Sequence, residues 1–360
     1  MTVYVLLLVF IVFAGIKAAP AGHFCKDYMS KEKTCAIKGI FVILVLFRHA
    51  SQYMNLGGPY DDPFLILEQH TGQMIVAMFF FYSGYGMMEA VKKKGFPYVK
   101  AILCKRLPNV YIKFAIAVLL FLILDLCLGK LSGYDWQTIV WSFIGWKNIG
   151  NSNWYMFAIF ILYFIFFLAF FLLCWNQSRT THFVSAALLT VLTVGYVFWQ
   201  IRIGQPAYFY NTVILLPLGV WYSLLKPWIE KLMMTSEIRY TFVCAVTVLL
   251  YAAAYGWRGR YGIEGYTIWA VVFTLSVVWF AMKISVGNPV LEWFGNHVFS
   301  VYMLQRIPMI LLSHWGLGYS HRYFFLAVSI VSTIFLSHIF DTVTDRFSNW
   351  NKEMRRRKNA

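Results

Sequence analysis

Lys38, Arg48 and His49 stand within residues 36–54, AIKGIFVILVLFRHASQYM, a segment otherwise apolar and long enough to cross a bilayer. Ionisable groups at membrane depth are costly and face a bundle interior or a wet cavity, so this stretch is the first candidate for chemistry. Eleven helical steps of about 100° bring Lys38 and His49 to within about 20° of one face, roughly 16 Å apart along the axis. Arg48, one step round, faces elsewhere. A neutral imidazole takes a proton from a hydroxyl and returns it to a leaving group near pH 7, and a cation at the mouth of the same face suits an anionic partner. The same residues also suit two snorkelling cations and a packed, hydrogen-bonded histidine.

The other polar interruptions fall at opposite ends of the apolar runs. Lys105 and Arg106 stand just before Pro108 at one end, where a basic cluster clamps phosphates or simply obeys membrane topology. Nearby, Ser83, Gly84 and Gly86 allow close helix approach, while Tyr82 and Tyr85 offer hydroxyls. At the other end, Glu68 and His70 flank the exit of the His49 segment, and Asn151, Asn153, Trp154 and Tyr155 open a further run. Polar groups beside aromatic platforms suit a sugar face. Asp61 and Asp62 read as solvated loop. Gln305 and Arg306 interrupt a late apolar run and must face the interior, and Asp125 is expected to pair with Arg48 or Lys113.

The elements that must position these residues follow from composition. The chain of 360 residues is 60% apolar and 13% charged, where soluble domains carry about a quarter charged residues; its mean hydropathy is +0.63. This predicts an all-α polytopic membrane bundle. Apolar runs at about 3–19, 37–56, 72–91, 109–128, 153–175, 183–200, 207–225, 240–256, 265–283, 296–314 and 323–341 predict eleven transmembrane helices. One side of that plan collects twenty-three of the 31 Lys and Arg residues and the other six, which puts the amino terminus outside and the carboxyl terminus in the cytoplasm. The first run resembles a signal peptide only weakly, because it lacks a basic start. Cleaving it would leave the next helix starting on the wrong side, so it is expected to be a true span. The net charge of +16 is then explained without nucleic acid as a partner, and the tail sequence RRRK suits anionic lipid. The six cysteines show no pairing or metal-ligand spacing, so neither disulfides nor a metal is expected. Residues 129–152, with Trp136, Trp141 and Trp146, suggest a segment lying on the membrane surface.

Taken in order, Lys38 to His49, FFFYSGYG, KRLPNVY, NSNWYMFAIFILYF and VFSVYMLQRIPMI resemble the motifs of the acyltransferase 3 family of integral membrane acyltransferases. The resemblance covers about residues 29–345, leaving an extra span and linker at 1–28 and a basic tail at 346–360. It implies a ten-helix core that transfers an acyl group, usually acetyl, from cytoplasmic acyl-CoA to a hydroxyl of a cell-surface glycan. Nothing is bound permanently; acetyl-CoA or another acyl-CoA is the donor substrate, and membrane lipid and a glycan or lipid-linked glycan are the partners. His49 would be the catalytic base, with Lys38, Lys105 and Arg106 toward the donor. Arg48, Ser83, Tyr85, Glu68, Asn153, Trp154, Tyr155, Gln305 and Arg306 would line the site or hold the acceptor. Three positions depart from the family pattern: Lys38 stands where Arg is usual, Asn109 replaces the second Arg of the cytoplasmic pair, and Gln305 occupies a position often His. Lysine keeps the charge but loses the planar bidentate fork. A transporter or flippase for a glycan or lipid, with Lys38, Arg48 and His49 along its path, is the alternative.

Overall fold

The computed structural model describes residues 1–173 and 178–358, with side chains described to residue 347. Cys174 and most basic side chains of the tail lie outside the described residues. The chain begins with helix α1 (Thr2–Phe13) and a short strand β1 (Ile16–Ala18). Helix α2 (Lys31–Ser51) follows, capped by Ser30, whose hydroxyl accepts the Lys33 N–H. A short α3 (Asp62–Thr71) leads to α4 (Met74–Lys94). Helix α5 (Phe96–Ala101) continues through one π-helical turn, Ile102–Arg106, into α6 (Leu107–Cys127). Then come α7 (Trp136–Ser142), α8 (Trp154–Leu173), α9 (Arg179–Arg202), α10 (Leu215–Met233), α11 (Glu237–Trp257) and α12 (Gly262–Lys283). Strand β2 (Ile284–Val286) pairs antiparallel with β1. Helices α13 (Pro289–Asn296), α14 (Val298–Leu304), α15 (Arg306–His314), α16 (Leu317–Ser320) and α17 (Arg322–Lys358) complete the fold.

Eight of these segments are long and apolar enough to cross a membrane: α2, α4, α5–α6, α8, α9, α11, α12 and the first 26 residues of α17. The polytopic helical bundle therefore stands, with eight of the eleven expected crossings formed by helices of spanning length among the described residues. Each of the three remaining runs falls short for its own reason. Helix α1 has 12 residues, about 18 Å against a hydrocarbon core of about 30 Å. Beyond it the chain continues into β1; Thr2 N–H bonds the Tyr60 carbonyl at one end of this stretch, and Ala19 N–H bonds the Lys283 carbonyl at the other. Helix α10 carries Lys226, Glu230 and Lys231 in its last two turns. The late run is split between α14 and α15, because Pro308 has no N–H for the Leu304 carbonyl and its ring crowds that carbonyl.

Glycine contacts set the tightest helix pairs. A Cβ on Gly84 would collide with the Leu216 carbonyl, and one on Gly219 with that of Phe81, so α4 and α10 touch backbone to backbone. Gly39 and Gly295 do the same for α2 and α13. Gly86, by contrast, meets open space. Pro227 inside α10 frees the Ser223 carbonyl, and the Lys92 ammonium donates to it at 2.5 Å while Ser223 Oγ donates to Glu89 at 2.7 Å. Helix α4 is thereby fixed against α10 and α2 against α13, and α11, with Phe242, Val248 and Leu249 exposed, lies at the periphery.

Candidate active site

Helix α2 feeds two cavities, one beside each half of its length. The first, about 330 Å³, lies near its C-terminal end, where His49, Arg48, Ser152, Trp154, Tyr302 and Arg306 face one another. His49 Nε2 meets Ser152 Oγ at 3.3 Å; Nδ1 is enclosed and has no partner among the described residues, so Nε2 is the ring nitrogen turned to the cavity. Among the described residues no carboxylate backs the imidazole. Arg48 pairs with Glu68 at 2.6 Å. Arg306 donates to the Gly150 carbonyl at 3.2 Å and to Gln52 Oε1.

The second cavity, about 310 Å³, lies beside the N-terminal half of α2 and is lined by Lys38, Ser83, Arg106, Tyr155, Tyr163 and Tyr302 among others. Arg106 donates to the Tyr98 hydroxyl at 2.7 Å and the Tyr163 hydroxyl at 2.9 Å, with Ser83 Oγ at 3.5 Å. Its guanidinium also lies over the Tyr163 ring, 4.7 Å from the centroid. The π-helical turn aims it there: closing i to i+5, that turn inserts one residue into the ladder just where Arg106 leaves it. Neither Lys38 nor Arg106 has a carboxylate within bridging distance among the described residues. In this partly apolar chamber the Arg106 guanidinium is held by neutral hydroxyls and the Lys38 ammonium has no carboxylate partner among the described residues, an arrangement that calls for an anion from outside. Among the described residues Tyr302 alone lines both cavities.

A family model described as an acyltransferase domain matches residues 36–341, most of the chain. The chain belongs to the acyltransferase 3 family. Comparison with curated proteins and with solved structures gives no match. Between the two readings that the sequence left open, family membership favours a membrane acyltransferase over a transporter.

In this acyltransferase the residues expected at the site divide three ways. His49, Arg48, Trp154 and Arg306 gather at the first cavity, and Lys38, Ser83, Arg106 and Tyr155 at the second. Glu68 reaches the first through Arg48. Arg48 therefore does not face away from His49: the cavity opens at the end of α2, and a long side chain swings into it. Lys105, one position before Arg106, is exposed and lines neither cavity. Tyr85 is buried against Tyr222, 6.2 Å between rings, on the α10 side. Asn153 is enclosed and donates to the Ser142 and Lys147 carbonyls at 3.4 and 3.1 Å, holding the loop before α8. Gln305 turns back onto the Tyr302 carbonyl at 3.0 Å.

Other pairings differ from expectation. Lys113 bonds Asp345 at 2.9 Å and Asp341 at 3.5 Å, so Asp125 faces neither Lys113 nor Arg48. It lies in a third cavity with Lys130, Tyr134 and Arg306. Asp61 is fully buried, because Arg322 reaches it at 2.6 Å, the Met1 amino group at 2.9 Å and the Gly57 N–H at 3.3 Å. Burial works to raise its carboxyl, and these donors outweigh it and hold it below the usual range. Of the three tryptophans expected on the surface, Trp136 and Trp141 are exposed, while Trp146 stacks on Trp199. Sequence reasoning missed Ser152, Tyr163 and Tyr302. The available signal was a phenol or hydroxyl in an apolar run, and the chain has 23 tyrosines, too many to choose from.

Proposed function

We propose that the protein moves an acyl group, acetyl in the simplest case, from cytoplasmic acyl-CoA to a hydroxyl of a cell-surface polysaccharide or related glycan. The observation that carries this reading is the pair of cavities separated by Tyr302, one with unpaired cations, the other with a histidine among hydroxyls and aromatic rings. The donor enters through the second cavity, its neutral thioester arm reaching toward Tyr302. Its anionic groups find Lys38 and Arg106, and Lys105 is left for the part of the nucleotide that stays outside. The acceptor takes the first cavity, its sugar ring against Trp154, its hydroxyl in the place of Ser152 Oγ beside His49 Nε2. His49 removes the hydroxyl proton as that oxygen bonds to the thioester carbonyl carbon; the carbon–sulfur bond breaks and the proton passes to the departing thiolate. Arg48, steered by Glu68, and Arg306 border the acceptor.

The eleven-crossing topology belongs to this proposal, with α1–β1, α10 and α14–α15 completing the path, the amino terminus outside and the carboxyl terminus in the cytoplasm. The Lys and Arg asymmetry supports it. Reporters fused after Asp62, Gly133 and Gly259 are expected outside, and those after Lys94 and Met233 inside; a reversed result at Lys94 overturns the orientation. For the activity, surface glycan from cells with the protein, without it, and with His49→Gln is analysed for ester-linked acyl groups. Acylation present only with the native chain is expected, and equal acylation in all three removes the reading.

A further inference from the structure

We propose that Tyr302 is a movable partition that keeps the side of the His49 cavity, and its water, out of the Arg106 cavity until an acceptor hydroxyl arrives. It rests on the two-cavity arrangement and, for its purpose, on the donor reading above. Trp154 and Tyr155, neighbours in sequence, fall on opposite sides of this residue. The Tyr302 ring is buried, 6.2 Å from the His49 ring and 5.4 Å from that of Tyr155. Its hydroxyl donates to the Ser152 carbonyl at 3.1 Å. Ser152 thus holds both parts: its carbonyl latches Tyr302 and its hydroxyl meets His49 at 3.3 Å.

That double contact links arrival to opening. A substrate hydroxyl that displaces Ser152 Oγ from His49 loosens the loop residue that latches the partition. One hydrogen bond is a small restraint, about a factor of five, so the latch is releasable. The backbone is ready to move too: α14 ends two residues beyond Tyr302, and Pro308 leaves the junction with α15 without a continuous ladder. A closed partition has a chemical purpose. Water reaching a bound thioester would attack its carbonyl carbon, break the carbon–sulfur bond and release free acid and thiol without an acceptor.

The test reads access rather than turnover. Ser83, half-buried in the second cavity, is changed to cysteine in a background whose six native cysteines are replaced. A negatively charged, membrane-impermeant methanethiosulfonate reagent is applied to the face on which the His49 cavity opens. With Tyr302 intact, labelling of Ser83→Cys from that face is expected to be slow. Tyr302→Phe is expected to raise its rate about fivefold, the weight of the lost latch, and Tyr302→Ala by about a hundredfold, since the ring itself is gone. Unchanged labelling from the opposite face serves as the check that the fold persists. Equal rates from the His49 face in all three backgrounds overturn the partition. Protection by acetyl-CoA against labelling from the opposite face tests the donor reading separately: its absence, with the Tyr302 dependence intact, removes the donor assignment and leaves the partition standing.

Discussion

The two cavities share helix α2 and Tyr302 yet are built from different material. The Arg106 cavity is walled by helices: α2, α4, the π-helical turn and α8 supply its side chains, and phenol hydroxyls hold its cation. The His49 cavity is closed largely by loops, with Asn148, Gly150 and Ser152 from the stretch before α8 and Gly72 and Gln73 from the α3–α4 junction. Backbone carbonyls hold much of it, as at Arg306 on Gly150 and Tyr302 on Ser152. Rigid walls suit a ligand that is always the same, and loops suit one that differs from surface to surface. On the proposed reading the comparison teaches that donor geometry resides in helix packing, whereas acceptor geometry resides in a few loop contacts.

The largest effect tests the His49 side. His49→Gln keeps hydrogen bonding and size but takes up no proton near neutrality, so kcat is expected to fall by about 10² to 10⁴ with protein abundance unchanged. Arg48→Gln, at a neighbouring position on the same cavity, is expected to retain most activity. Substantial turnover by His49→Gln would falsify the base assignment even with the family assignment intact.

Next comes the helical side. Arg106→Ala removes hydrogen bonds from a charged donor, each worth about 1.5–3 kcal/mol, so the KM for acetyl-CoA should rise roughly ten- to a hundredfold with a smaller change in kcat. Arg106→Lys recovers part of this at most, because a point charge cannot span Tyr98 and Tyr163 together. Lys105→Ala, at an exposed side chain, should change KM less than twofold, on the order of a surface charge. Equal effects at 105 and 106 would break the contrast between wall and surface. Ser152→Ala removes a hydroxyl that the acceptor displaces from His49, so it is expected to lower the acceptor KM by no more than about fivefold, the scale of one hydrogen bond, leaving kcat and the donor KM unmoved.

The smallest effects concern the frame of the loop-built side. Asp61→Asn removes a buried, multiply bonded carboxylate at the corner of α1, α3 and α17, and thermal inactivation in detergent at pH 7 should come on the order of 5 °C earlier. Because the folded carboxyl is held below its usual range, that stabilisation is complete above about pH 4 and is lost as pH falls through the depressed value. The gap between native chain and variant should therefore narrow on acidification; a gap constant from pH 7 to pH 3 would show that packing, not charge, is responsible. Glu68→Gln breaks a half-exposed pair with Arg48 and should alter kcat/KM by less than about threefold.

By itself the sequence determined the class of molecule and the residues most costly to place in a membrane. Apolar runs fixed a helical bundle; Lys38, Arg48 and His49 stood out because lipid does not tolerate them, and Arg106 stood out as part of a basic cluster at the end of an apolar run. Tertiary structure decided which of their neighbours share a cavity. Lys105 and Arg106 differ by one position, yet beside the π-helical turn one is exposed and the other half-buried among phenols. Asp61 looked like loop because its partner Arg322 lies 261 residues away. The length of a span was also beyond the sequence where proline or an extended strand replaced helix, as at Pro308 and β1. Tyr302 was invisible among the other tyrosines because a partition is a relation between two cavities, and neither exists until α2, α8 and α14 have met.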